Sequence, residues 1–197
     1  MGASAAALTA AAQPASAQSV IEELVVTAQR REQALQDVPV AVSAFSEDTL
    51  KTQRLDGGQN LLQAIPNVNF SRSNFGGYNF SIRGIGTKVV GTGEAGVSFH
   101  QNNSPLTSNR LADAEFYDVE RVEVLRGPQG TLYGRNATGG VVNIITNKPV
   151  VGDDKISGWL TGEYGNYNTT RVRGAVNIPL GDMMAVRWAG AYIKRDG

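Results

Sequence analysis

The 197-residue sequence has no cysteine, one histidine and a formal net charge of zero. Without cysteine the chain builds neither a disulfide framework nor a thiolate metal site, and a cysteine nucleophile is excluded. His100 alone lacks the partner ligands that a zinc site needs, so no metal or cofactor is expected. Balanced charge without a basic block removes the electrostatic footprint of a nucleic-acid binder. No window reaches the roughly 18 to 20 apolar residues of a spanning helix, so any passage into a membrane falls to strands. Hydrophobic residues nevertheless make up 41% of the chain, enough for one folded domain and a remainder.

What is present begins with "MGASAAALTAAAQPASAQ", an uncharged, alanine-rich start. Ala15, Ser16 and Ala17 form an A-x-A site before Gln18, so residues 1–17 read as the remnant of a secretory signal. The basic n-region is missing, and a low-complexity tail is the alternative. Next comes "EELVVTA", Glu22 to Ala28, an apolar run behind two carboxylates. Val25, Val26 and Thr27 are β-branched and favour an extended backbone. The polar stretch Gln29 to Asp37 reads as a tether that reaches about 30 Å at roughly 3.4 Å per residue. An edge strand of the following domain is the other reading of "LVV".

From Val38 the pattern is that of a fold. Val38, Val40, Val42 and Ala44 alternate with Pro39, Ala41 and Ser43, the period of a half-buried strand. Ser46 reads as the N-cap of a helix reaching about Gln53, with Glu47 and Asp48 in its first turn. A second helix is predicted from Gly57 to Ile65, stopped by Pro66. Short strands follow, "VNF", "NFSIRGIG", "GVSFH" and "DVERVEVLRG". A helical turn around Gln129 to Tyr133 and a strand from Val141 to Thr146 close a mixed α+β unit over 38–150. Arg83 and Arg126 each end an apolar strand just before glycine. The glycine-rich runs "GIGTKVVGTG" and "GPQGTLYGRNATGG" lack the Gly-Lys-Ser/Thr ending of a phosphate loop and suit tight turns instead.

Residues 151–197 change texture. Val172, Gly174, Val176, Ile178 and Leu180 share one face of a strand, and Arg171, Arg173, Ala175 and Asn177 the other. Val186, Trp188, Gly190 and Tyr192 oppose Arg187, Ala189 and Ala191 in the next. Strands of about ten residues with one apolar side fit a transmembrane β-barrel, and equally an antiparallel sheet in water.

Taken together, "EELVVTA", "DVPVAVSAFSEDTL", "LLQAIPNV", "FSIRGIG" and "VERVEVLRGPQGTLYGRNATGGVVNIITNKP" resemble, in this order, the N-terminal part of a TonB-dependent outer-membrane receptor. The resemblance implies a TonB box and tether at 18–37, a plug domain at 38–150, and the first antiparallel strands of an incomplete transmembrane barrel at 151–197. In the family such barrels have about 22 strands around a plugged lumen. It further implies that Glu22, Glu23, Leu24, Val25, Val26, Thr27 and Ala28 bind TonB by strand addition. Arg83 and Arg126 would latch the plug to carboxylates on the barrel wall. The implied partners are TonB with its inner-membrane energising complex, outer-membrane lipid, and a small ligand, foremost a ferric siderophore. The aromatic and amide-rich loops suggest Phe75, Tyr78 and His100 as ligand contacts. One departure is "VSFHQNNSPLTS", Val97 to Ser108, where many members have an aromatic-Val/Ile-Asp-Gly-Val turn; a loop geometry of its own is expected there. No catalysis is expected. The alternatives are a periplasmic plug-like ligand-binding or signalling module, and a partial gene product without function.

Overall fold

The computed structural model describes residues 24–27, 30–55, 57, 60–61, 64–72, 78–86, 96–106 and 117–196. The signal remnant expected at 1–17 lies outside them. Strand β1 (Val25–Val26) pairs antiparallel with β2 (Gln33–Ala34). Then come β3 (Ala41–Ser46), helix α1 (Glu47–Thr52), β4 (Val68–Arg72), β5 (Tyr78–Ile82) and β6 (Ile85–Gly86). β7 (Val97–Gln101), β8 (Ser104–Pro105), β9 (Val119–Arg126), α2 (Gly130–Tyr133) and β10 (Gly140–Thr146) complete the N-terminal unit. Three long strands end the chain, β11 (Ser157–Gly165), β12 (Thr169–Pro179) and β13 (Ala185–Lys194).

The central sheet has the order β3-β9-β10-β7-β8, with β7 and β10 parallel and the other pairs antiparallel. Its middle strands are covered on both sides, as period-two alternation requires when two cores meet one sheet. Val122, Val124, Val142 and Ile144 face a core with Leu50, Leu61, Ile65, Phe80, Ile82 and Phe99. Leu125 and Val141 face a second core with Val26, Val38, Tyr133 and Ala137. Ser46 caps α1 as expected, its hydroxyl accepting from the Thr49 N–H at 3.3 Å. Of the second helix, Leu61 donates to the Gly57 carbonyl at 3.0 Å, and Leu61 and Ile65 are buried.

The departing stretch after Val97 is tighter than a loop of its own geometry. Asn102 and Asn103 both lie at positive φ, 50° and 65°, the geometry of a two-residue hairpin turn that asparagine tolerates without glycine. Their side chains tie the turn to β10: Asn143 donates to the Asn103 Oδ1 at 2.9 Å, and the Thr146 N–H donates to the Asn102 Oδ1 at 3.0 Å. Gly140 is required where it stands. It has φ +152°, and a Cβ there would lie 2.3 Å from the Leu125 carbonyl oxygen.

In the C-terminal sheet, order β11-β12-β13, the register puts Trp159, Glu163, Arg171, Arg173, Ala175, Asn177 and Arg187 on one face. Leu160, Tyr164, Val172, Val176, Ile178, Val186, Trp188 and Tyr192 share the other. Leu160 and Trp188 are 80% and 70% exposed. Strands of 9, 11 and 10 residues match the 9 to 11 that cross a bilayer when tilted. Such an apolar face suits lipid and would drive aggregation in water.

Polar bonds fasten this sheet to the N-terminal unit. Arg187 Nε donates to Asp118 Oδ2 at 2.7 Å, and Arg187 Nη2 donates to Asp118 Oδ1. Asn147 donates to Asp118 Oδ1 at 3.1 Å. The fully buried Asn177 accepts from the Val150 N–H at 2.9 Å and donates to its carbonyl at 3.0 Å, copying a strand neighbour with a side chain. Burial alone would raise the Asp118 carboxyl, but hydrogen bonds from Arg187 and Asn147 and the Arg187 charge outweigh it and hold the group below its ordinary value of 3.8. Its stabilisation is therefore fully present above that value and lost as pH falls through the lower folded one. Asp118→Asn should cost about 3 kcal/mol, since it strands the Arg187 cation. The check is the urea midpoint of a receptor carrying this chain, compared at pH 7 and pH 3. The difference between variant and parent should shrink at the lower pH.

Candidate functional site

The leading segment does not stand apart from the fold. Sequence suggested a free handle on an extended tether; instead residues 30–37 turn back, Gln33 and Ala34 pair with β1, and Leu35–Asp37 forms a 3-10 turn. The reason is apolar: Val26 is 0% exposed against Leu125, Tyr133, Ala137 and Val141, with Leu35 packed on the same cluster. Burying one valine contributes about 1.5 to 3 kcal/mol, enough to hold a short segment down yet small enough to be reversed. Of the seven residues expected to bind TonB, Leu24, Val25, Val26 and Thr27 are among the described residues, and Glu22, Glu23 and Ala28 lie outside them.

Thr27 carries the polar part of the contact. Its N–H donates to Glu123 Oε1 at 2.7 Å, and its hydroxyl lies 3.1 and 3.3 Å from the two oxygens of that carboxylate. Glu123 is itself 0% exposed in the middle of β9, and Arg121 Nε donates to it at 2.8 Å. Arg121 also pairs with Glu120. A buried carboxylate is tolerated only with such a set of donors. The Tyr133 hydroxyl donates to the Thr27 carbonyl at 3.5 Å, and the Arg30 guanidinium stands over the Tyr133 ring at 5.7 Å. Burial, and next the Glu123 charge, push the Tyr133 phenol up to about 12, so it remains a donor at physiological pH.

His100, expected as a ligand contact on an outward loop, is 1% exposed inside the central sheet, at the end of the strand that "GVSFH" predicts and just before the Asn102–Asn103 turn. Its ring meets Tyr133 edge-on at 5.0 Å. Desolvation, with the Arg30 charge adding to it and the Asn103 carbonyl opposing it, pulls the imidazole below 6.5. The neutral ring then donates from Nδ1 to that carbonyl at 3.4 Å and accepts at Nε2 from the Ser98 hydroxyl at 2.9 Å. His100 thus buttresses Tyr133. Tyr78 begins β5, and Phe75 lies outside the described residues.

The two arginines lie at one turn. Arg83, exposed and at φ 52°, reaches over the turn after Arg126: a Cβ on Gly127 would lie 3.9 Å from Arg83 Nη1. Among the described residues neither pairs with a carboxylate, and the Arg126 Nε is buried without a partner. The glycine-rich run after Arg126 spends its amides internally. Gly127 donates to Gly139 at 3.0 Å, Gln129 to Ala137 at 2.7 Å and Gly139 to Gly96 at 2.7 Å, bonds that close the tight turns of this run.

Sequence reasoning missed Glu123, Arg121 and Tyr133 as parts of the site. The available signal was Glu123 between Val122 and Val124, a carboxylate in an otherwise apolar strand.

Comparison with known proteins bears on these features directly. The family model of the TonB-dependent receptor plug domain matches residues 34–141. The iron-regulated outer membrane virulence protein of Vibrio cholerae is 29% identical over 185 residues, covering 89% of this chain and 28% of that protein. The ferric yersiniabactin uptake receptor FyuA from Yersinia pestis is 25% identical with a TM-score of 0.65, covering 79% of this chain and 24% of that one. The ferripyoverdine receptor of the outer membrane of Pseudomonas aeruginosa is 20% identical with a TM-score of 0.71, over 87% of this chain and 22% of that one. The chain therefore spans less than a third of the length of these relatives. With a plug-domain match over more than half its length, and with its sheets arranged as an α+β plug followed by antiparallel barrel strands, the chain belongs to the TonB-dependent receptor plug domain family.

Proposed function

We propose that this chain is the N-terminal part of an outer-membrane receptor that takes up a scarce ligand, a ferric siderophore, with energy delivered by TonB. Residues 18–37 serve as TonB box and tether, 38–150 as the plug, and 151–197 as the start of the barrel. The observation that carries the reading is the leading segment itself: a β-branched strand bearing a family plug, held by one buried valine and one threonine and so detachable as a unit. Two of the relatives are named for uptake or binding of ferric siderophores, and the third for iron regulation in the outer membrane. The exposed apolar face of β11–β13 supports lipid rather than the periplasm as its surroundings, against a soluble signalling module.

The outer membrane offers neither ATP nor a sustained ion gradient, so pulling by a partner anchored elsewhere is the available energy source. In this reading the box leaves the plug and adds as a strand to a sheet edge on TonB, gripped by main-chain hydrogen bonds. Force on the box then reaches β3, an edge strand of the central sheet, through the short β2 connection. Phe75 and Tyr78 remain the proposed ligand contacts, with His100 supporting Tyr133 from behind. Arg83 and Arg126, gathered at one turn, form the plug side of a latch whose carboxylates come from barrel strands beyond this chain.

Two outcomes test the reading. Val26→Pro in the full-length receptor should abolish energised uptake of radiolabelled ferric siderophore and leave its binding intact, because proline removes a main-chain donor and disrupts strand addition. Unchanged uptake would refute the box. Arg126→Ala should lower plug stability by about 3 kcal/mol, read from its urea midpoint, by breaking a buried ion pair; an unaltered midpoint would refute the latch.

A further inference from the structure

Strand addition requires an open edge, and the register of β1 identifies which edge that is. Alternate residues of an antiparallel strand turn their main-chain groups to opposite sides. The Leu24 carbonyl accepts from the Leu35 N–H at 3.0 Å, and Val26 stands opposite Gln33. Leu24 and Val26 therefore direct their N–H and C=O groups toward β2, and Val25 directs its own toward the other edge. That outer edge is where a partner strand would add, and at the Thr27 amide it is already taken. The Thr27 N–H is held by Glu123, while its carbonyl closes a turn with the Arg30 N–H at 2.8 Å and accepts from the Tyr133 hydroxyl.

We propose that Glu123 is an edge guard: its carboxylate takes the place of a partner strand's carbonyl at the Thr27 amide, so TonB engages only when that bond is exchanged. The inference deepens the reading of Glu22 to Ala28 as the TonB-docking strand and rests on it. Three features fit a guard better than a filler of the core. Arg121 fixes the carboxylate through Oε1 and also reaches the Thr27 hydroxyl with Nη2 at 3.4 Å, so cation, carboxylate and segment form one cluster. The Thr27 hydroxyl engages both carboxylate oxygens, so the contact depends on this residue type and not on the backbone alone. A hydrogen bond to a charged acceptor is about twice as strong as one to a neutral carbonyl. A TonB strand therefore exchanges a stronger bond for a weaker one, and the plug keeps its box until something else favours release.

The test uses the full-length receptor in lipid vesicles and the purified C-terminal domain of TonB as the probe, with no transported ligand present. A protein whose competent state is a minor fraction binds in proportion to that fraction, so weakening the guard should raise the apparent affinity. Glu123→Gln keeps shape and one acceptor but removes the charge; Thr27→Val keeps the β-branched backbone but removes the hydroxyl. Each should tighten binding several-fold, and both together about tenfold, as expected for the loss of one charged hydrogen bond. Assembly of each variant is verified by heat-modifiable mobility of the barrel. Unchanged or weaker binding by both variants, with Val25→Pro, which removes an N–H from the outer edge, still abolishing it, overturns the guard and leaves the docking strand standing. Binding that survives Val25→Pro overturns the docking strand itself.

Discussion

A carboxylate enclosed by protein must be surrounded by donors, and the arrangement around Glu123 satisfies that demand with part of the leading segment. Arg121 supplies one donor from the same strand, and Thr27 supplies two from a residue 96 positions away in sequence. The position of the leading segment is thus tied to the electrostatics of the plug interior. Detaching the segment exposes Val26 and removes two of the three donors to Glu123. The stowed state is held by a few kcal/mol from one apolar contact and one charged cluster, a size that a binding partner can overcome.

The rest of the fold gives this cluster a fixed platform. β9 sits between β3 and β10, with its valines in one core and Leu125 in the other, so Glu123 is carried by one of the best-braced strands of the chain. At the far end of the same strand, Asp118 binds Arg187 and Asn147, and Asn177 clasps the backbone of Val150. The plug is consequently bolted to the first barrel strands at one end of β9 and holds the leading segment near the middle. In the proposed function the pulled end and the anchored end lie on different elements: the box leads into edge strand β3, and the anchor lies at the root of β9.

Much of this architecture was legible from residues alone. Alternating valines marked the strands, Ser46 marked the start of α1, and the opposed faces of β12 and β13 emerged with the register that the strands adopt. The long glycine-rich block identified the family because it constrains many positions together. Pairings between distant segments were not legible. Nothing local in "VEV" says that Glu123 meets Thr27, and nothing in "YDVERV" says that Asp118 meets Arg187. His100 was misplaced for the same reason: amides and hydroxyls in "SFHQNNSPLTS" suggested an open loop, whereas two asparagines able to adopt positive φ close a tight hairpin and put the ring inside. The tether likewise looked solvated because its polar residues outnumber Leu35, yet that one leucine and the pairing of Gln33 and Ala34 fold it back.

The account depends on the leading segment being stowed as a strand whose Thr27 amide is bound by Glu123. Amide hydrogen exchange at residues 24–27 of the full-length receptor in lipid, with no partner added, measures this directly. A stowed strand predicts a Thr27 amide that exchanges at least a hundredfold more slowly than in an unstructured peptide of the same sequence, about 3 kcal/mol of protection. Exchange at the rate of the free peptide would contradict it.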